Sequence, residues 1–148
     1  MNASTNANSG PVVAQAGLAH LDVVADLHRL AFGDDGNIDR YTRIVERGAC
    51  YVALTDDTPV GFAVLDTFLH GHGLLRIIGV HPEHRRQGIA AALVRRVEQH
   101  CPTDRLFTAT SADNTAMQQT AEALGFELAG HIDGIDDHRE LFYLKRLT

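Results

Sequence analysis

The stretch from Leu74 to Val97 constrains this chain more than any other. It opens as a dense apolar run, Leu74-Leu75-Arg76-Ile77-Ile78-Gly79-Val80, suited to a central strand. Pro82 ends that strand, because proline cannot donate to a ladder. A basic turn follows, Arg85-Arg86-Gln87-Gly88, and then Ile89, Ala92, Leu93 and Val97 recur at helical spacing. A strand that runs through a short loop into a helix leaves the first N–H groups of the helix without intrahelical acceptors, at the positive end of its dipole. An anion such as a pyrophosphate is stabilised there. Gly88 lets backbone approach a ligand with no Cβ in the way. Ala90 and Ala91 are small enough to keep the approach open, and Arg85 and Arg86 add local positive charge.

Local charge matters because the whole chain is acidic, with a net charge of −6. Nucleic acid is therefore not attracted at long range, and an anionic ligand must be held by nearby cations and backbone donors. No apolar run approaches the length of a membrane span. Met1 to Gly10 is rich in Asn, Ala and Ser without an apolar core, and reads as a tail (residues 1–10) rather than a secretion signal. Two cysteines, Cys50 and Cys101, are too few and too far apart for a disulfide framework or a paired zinc knuckle. A reducing cytoplasm is the expected setting.

The remaining elements fall into place around that segment. Pro11 to Ala16 suits a first strand. Leu21 to Phe32 carries Val23, Val24, Leu27, Leu30 and Ala31 at helical spacing, and Gly33 to Gly36 breaks it. Ile38 to Arg47 is a second short helix. Cys50 to Thr55 and Val60 to Phe68 form a hairpin across the turn at Asp56 to Pro59, and His70-Gly71-His72-Gly73 is a second turn. After the helix that Pro102 stops, Leu106 to Thr110 is a strand. Met117, Ala121 and Leu124 mark a last helix closed by Gly125. Phe126 to Gly130 and Glu140 to Leu147 are closing strands. At 148 residues the chain fits one α/β domain, 11–148, with a mixed sheet flanked by helices.

Arg85-x-x-Gly88-x-Ala90, directly after a strand ending in Val80, resembles the coenzyme-A signature of the GNAT superfamily, Gln/Arg-x-x-Gly-x-Gly/Ala, at every fixed position. Asn114, followed eleven and twelve residues later by Gly125-Phe126, resembles a second block of the same family. The resemblance spans roughly Leu18 to Leu147. It implies a splayed mixed sheet with acetyl-CoA lying in the opening. It also implies that the backbone of Ile78 and Val80 meets the pantetheine arm, and that the Val80 N–H faces the oxyanion developing on the thioester carbonyl. Arg85, Arg86, Gln87, Gly88, Ile89 and Ala90 would cradle the pyrophosphate, and Asn114 would contact the coenzyme arm. Asn114 is equally suited to cap a helix.

Two positions depart from the family. The Tyr that many members carry seven residues after the Asn, as acid for the departing thiolate, is Ala121 here. Tyr143 is the candidate substitute. The Glu that many members carry four or six residues before the Val80 position is replaced by Arg76 and Leu74, which share a face with Ile78 and Val80 if the strand is regular. Arg76 cannot be a base. It suits pairing with a substrate carboxylate or with an acid of the protein. Candidates for the base are Glu140, His138 and Asp66. The acids Asp133, Asp136, Asp137 and Glu140 cluster at the last strand and would attract a positively charged amine; Asp34 and Asp35 lie in a loop that can border the same acceptor.

Nine histidines do not make a metal site without a third ligand at a telling spacing, so no metal is expected. Covalent catalysis needs a thiol with a neighbouring base in an electropositive setting. Neither Cys50, opening a strand, nor Cys101, following a helix end, offers one. The expected activity is acetyl transfer from acetyl-CoA to a primary amine, either a small molecule or a protein N-terminus, by direct attack in a ternary complex. The alternatives are a catalytically silent CoA-binding module and an acyltransferase for longer acyl-CoA. Neither a nucleic acid nor a membrane is expected as partner, and the terminal strands leave room for a homodimer.

Overall fold

Phe62 sits at the centre of the first of two compact units. In this computed structural model, which describes residues 10–34 and 36–148, that unit comprises the chain up to Val64 together with Ile77–Val97. The second comprises Leu65–Arg76 and Glu98–Thr148. The tail reading and Asp35 fall outside the described residues.

The strands are β1 (Val12–Gln15), β2 (Cys50–Thr55), β3 (Thr58–Phe68), β4 (His72–Val80), β5 (Arg105–Ser111), β6 (Glu127–Ile132) and β7 (Glu140–Arg146). The helices are α1 (Leu21–Phe32), α2 (Ile38–Glu46), α3 (Ile89–His100) and α4 (Thr115–Ala123). Seven described strands form one mixed sheet in the order β1-β2-β3-β4-β5-β7-β6, parallel only where β4 meets β5 among the pairings described.

In the first unit, Phe62, Val52, Val64 and Cys50 pack with Val24 and Leu27 of α1 and Tyr41, Ile44 and Val45 of α2. Each large apolar side chain so buried contributes about 1.5–3 kcal/mol. The inward stripe of α1 is Val24, Leu27 and His28, while Leu30 stays half-exposed; a stripe at i, i+3, i+4 from Val24 leaves position 30 on the outer face. On the other face of β3 a Cβ at Gly61 would meet Ile89 and Leu93 of α3 at 2.9 and 3.3 Å. Ile89, Ala92, Leu93 and Val97 are buried as their spacing predicts. The β2–β3 hairpin turns at Asp56 and Asp57, both with positive φ (50° and 65°), between the paired Thr55 and Thr58. That is a two-residue turn with the twist hairpins prefer, and Asp tolerates it better than most residues.

The second unit departs from the sequence reading at one turn. His72 and Gly73 belong to β4, and the chain reverses at His70 and Gly71, whose φ values are 62° and 78°. Gly73 is small because a Cβ there would sit 2.5 Å from the Cys101 Sγ, so its glycine answers to packing rather than to a turn. β5 and β7 pair one to one from Arg105↔Arg146 to Ser111↔Glu140. Leu106, Thr108 and Thr110 of β5 and Tyr143 of β7 are buried on one face with Ala121 and Phe126 also buried. Thr108 satisfies its hydroxyl on the Leu75 carbonyl at 2.9 Å. α4 ends as Gly125 predicts: the Phe126 N–H reaches the Ala121 carbonyl and the Gly125 N–H the Glu122 carbonyl, with Gly125 at φ 96°.

Candidate active site

The coenzyme loop runs from β4 into α3 inside the first unit. The His81 N–H donates to the Val60 carbonyl at 2.8 Å. The Gly79 carbonyl also lies toward β3, 3.1 Å from where a Gly61 Cβ would stand. Backbone groups of successive strand residues alternate sides, so the N–H groups of Ile78 and Val80 point to the edge away from β3. The described ladder from β4 to β5 covers only Gly73↔Leu106, Leu74↔Phe107 and Leu75↔Thr108. Ile78 and Val80 lie beyond it.

After Val80 the chain makes a single turn at Pro82–His84, capped by the His81 ring, whose Nδ1 accepts the Glu83 N–H at 3.0 Å. The His81 and His84 rings meet edge to face at 5.3 Å. Arg86 (φ 63°) and Gly88 (φ 79°) both take left-handed backbone. Arg85, Arg86, Gln87 and Gly88 are exposed, and nothing lies within 4 Å of a Cβ built on Gly88. The Gly88 carbonyl accepts the Ala92 N–H at 3.0 Å, so Gly88 stands at the cap of α3. Glycine there brings no side chain to bind the helix's first donors. The N–H groups of the first turn therefore face an open space, with two arginines just before them and no acid in that turn. Ile89 is 2% exposed, so its side chain is a core residue and only its backbone can serve a ligand.

Asn114, Glu140 and Tyr143 belong to the second unit. Asn114 caps α4: its Oδ1 accepts the Met117 N–H at 3.0 Å, worth about 1 kcal/mol. The cap uses the oxygen, so a ligand contact falls to the amide nitrogen. Glu140 opens β7 opposite Ser111, half-buried; burial, and then the nearby Asp136, hold its carboxyl above the usual range. Tyr143 is 3% exposed. Burial, and then Glu122 of α4, raise its phenol pKa, so it stays protonated at neutral pH.

Two acids of the β6–β7 loop, Asp133 and Asp136, have partners. Asp133 receives Arg139 in a two-pronged pair at 2.9 and 3.2 Å. Asp136 Oδ1 accepts the His138 N–H at 2.7 Å, and the His138 ring meets Asp113 at 2.6 Å. The Ala112 N–H donates to the Arg139 carbonyl at 2.8 Å, which ties this loop to the turn before Asn114. The ties of His138 to Asp113 and of Ala112 to Arg139 join residues more than 20 positions apart, and nothing in the spacing announces them. Arg76 meets Asp66 at 3.7 Å. Cys50 is buried and its thiol is pushed up to about 12 by desolvation, which suits a core residue and not a nucleophile. Among the described residues no three His, Cys, Asp or Glu side chains come together as a metal site, and no helix is long and apolar enough to cross a membrane.

Residues 21–126 match the model of the acetyltransferase (GNAT) family. Among curated proteins no sequence matches the chain. Among solved structures, a GNAT-family acetyltransferase from Bacillus cereus is 26% identical, with TM-score 0.84, covering 93% of this chain and 98% of that one. A ribosomal-protein-alanine N-acetyltransferase from Brucella melitensis is 18% identical, with TM-score 0.75, covering 92% and 99%. The yncA protein of Salmonella typhimurium, a putative acetyltransferase solved with its cofactor acetyl-CoA, is 16% identical, with TM-score 0.71, covering 94% and 95%.

Proposed function

Because the chain belongs to the acetyltransferase (GNAT) family, whose members move an acyl group from acyl-CoA, we propose that it transfers acetyl from acetyl-CoA to a primary amine by direct attack in a ternary complex. The observation that carries the reading is the open α3 N-terminus behind Arg85, Arg86 and Gly88. Its unpaired N–H groups and the two guanidiniums suit a pyrophosphate. The Val80 N–H, on the edge away from β3, is the donor for the thioester oxygen as it becomes an oxyanion. The Asn114 amide nitrogen serves the coenzyme arm.

Chemistry then needs a base and an acid. Glu140 takes the proton an ammonium must lose before its lone pair attacks the acetyl carbon. Its raised pKa brings it nearer the amine's range than an ordinary carboxylate. The new N–C bond forms as the C–S bond breaks, and sulfur leaves with the electron pair. Tyr143, protonated at neutral pH, is the candidate donor to that thiolate where Glu140 is not the base; with Glu140 as base the donor is the amine or water, since an alkyl thiol titrates near about 8.5.

The test couples binding to turnover. Gly88→Glu is expected to abolish acetyl-CoA binding by calorimetry. Arg85→Gln with Arg86→Gln, which leaves Gly88 in place, is expected to weaken it by about tenfold or more. Unchanged affinity in the folded double variant removes the loop assignment. The position of Ala121 and the charge of Arg76 favour one rival, a silent CoA-binding module. Thiol release from acetyl-CoA with a broad amine panel separates the two, and a series of acyl donors of rising chain length separates acetyl from longer acyl groups.

A further inference from the structure

The β5–β7 ladder sorts the second unit into two unlike faces. Residues paired across an antiparallel ladder project to the same side. Leu106, Thr108, Thr110 and Tyr143 are buried on one side. On the other side stand the pairs Phe107↔Leu144, Ala109↔Phe142 and Ser111↔Glu140, all half-buried. From β4, Leu74 lies level with Phe107, and alternation puts Arg76 on the same side. From β3, the Phe68 ring stacks on Phe142 at 5.2 Å and 16° and tilts against Phe107 at 5.3 Å. Asp66, two residues before Phe68, meets Arg76. One face thus carries a floor of three phenylalanine rings, a guanidinium at one side and the Glu140 carboxylate at another.

Arg76 is the informative member. A cation beside the approach of a positively charged amine repels it, unless the acceptor also carries an anion. Its pairing with Asp66 does not neutralise it well: 3.7 Å is too long for a hydrogen bond, and the side chains are 49% and 29% exposed. A guanidinium has five N–H donors in a fork that fits a carboxylate through two parallel bonds. Arg76 stands two strands from β7, at the level of Phe142 by extension of the ladders, and Glu140 lies two residues further along. With strands about 4.8 Å apart and residues about 3.4 Å apart, the two Cα atoms are about 12 Å from each other.

We propose that the acceptor is an amine that also bears a carboxylate and an apolar or aromatic group, such as a free α-amino acid with a large apolar side chain. This rests on the amine-acyltransferase reading above. Arg76 holds the carboxylate, Phe68, Phe107 and Phe142 carry the apolar group, and the amine is left facing Glu140. The ammonium gives up one proton to that carboxylate, its nitrogen bonds to the acetyl carbon as the C–S bond breaks, and the second proton lost from nitrogen ends on the sulfur, so that coenzyme A leaves as the thiol. Polyamines and lysine side chains lack the anion. In a peptide N-terminus the corresponding carboxylate is an amide, which a guanidinium binds far less well.

The experiment measures thiol release from acetyl-CoA by the full chain with phenylalanine, leucine, methionine and alanine, their primary amides, phenethylamine, spermidine and a short peptide. The free amino acids are expected to exceed their amides in kcat/KM by about 10- to 100-fold. Arg76→Gln is expected to bring that ratio to about one, by raising KM for the acids and lowering it for the cationic amides, with no change in the calorimetric affinity for acetyl-CoA. Phe142→Leu, a mild change that keeps the face apolar, is expected to lower kcat/KM for phenylalanine more than for alanine. Amides, peptide or spermidine turned over as well as the acids, or an acid-to-amide ratio that survives Arg76→Gln, overturns this acceptor and leaves the acetyltransferase reading standing. Thiol release with none of these amines, while acetyl-CoA still binds, overturns both.

Discussion

Glu140 and Tyr143 leave β7 on opposite faces of the sheet. They are three residues apart on a strand whose pairing with β5 shows no shift from Arg105↔Arg146 to Ser111↔Glu140. Glu140 therefore shares the half-buried side with Ser111 and Phe142, and Tyr143 the buried side with Thr108. In the tetrahedral intermediate the nitrogen and the sulfur are bonded to one carbon, so side chains on opposite faces do not reach it together, and the two roles are alternatives: with Glu140 as base, the thiolate takes its proton from the amine or from water. The separation lets the two roles be tested apart.

Glu140→Gln is expected to lower kcat and remove the acidic limb of the kcat/KM profile. The sign follows from the raised carboxyl pKa. Activity rises as the pH climbs through that value, since only the carboxylate accepts a proton. Stability runs the other way: a carboxyl raised in the fold stabilises it below the unfolded pKa, and that contribution is lost as the pH rises through the folded value. Gln carries no charge to desolvate, so the variant is expected to melt no lower than the wild type at pH 7. A retained acidic limb makes Glu140 a structural residue.

Tyr143→Phe is expected to reduce kcat by about 100-fold with little change in acetyl-CoA affinity, if the phenol protonates the leaving thiolate. Only a hydroxyl is removed from a buried ring, so a thermal melt near the wild type shows that packing is kept. Unchanged turnover between pH 6 and pH 9 (from about 2.5 units below the thiol's usual value to about 0.5 above it) assigns protonation to water.

Arg86 occupies left-handed backbone at φ 63°, a conformation that costs a non-glycine residue about 1–2 kcal/mol. Arg86→Gly is expected to raise thermal stability or leave it level while weakening acetyl-CoA binding. Thermal melts and calorimetry on one preparation read both. Stability and affinity falling together would mean that the Arg86 side chain holds the loop rather than the ligand.

Much of this was legible in the sequence because the signals are local. Gly125 closes α4, the Asp56-Asp57 turn makes the hairpin, and Gly88 takes positive φ at the α3 cap. The glycine at 73 misled because a residue without a Cβ marks a turn and a tight contact alike, and only packing against Cys101 tells them apart. The acids of the β6–β7 loop read as a field for attracting amines. The pairing of Asp133 with Arg139, and of His138 with Asp113, 25 positions away, follows from no spacing rule. The aromatic floor of Phe68, Phe107 and Phe142 is spread over three strands and appears only once their register is known.

His28 takes the inner position of α1 and joins two distant residues. Its Nδ1 lies 2.7 Å from the hydroxyl of Tyr41, which is fully buried, and its Nε2 lies 2.6 Å from Asp34 in the loop after α1. Burial pushes the Tyr41 phenol far above its usual range, so its hydroxyl keeps its proton, and His28 Nδ1 is the partner within reach of it. Tyr41→Phe leaves a half-buried imidazole nitrogen without its partner and is expected to cost about 1–3 kcal/mol. His28→Phe leaves the Tyr41 hydroxyl buried without that partner and is expected to cost a similar amount. The double variant removes both groups at once, so its cost should fall below the sum by about 1 kcal/mol or more. Asp34→Asn is expected to cost under about 1 kcal/mol, because that side chain is 70% exposed and screened. Urea unfolding of the four proteins completes the cycle. Additive costs for Tyr41 and His28 would mean that the 2.7 Å contact contributes no coupling, and that each ring matters only for the space it fills.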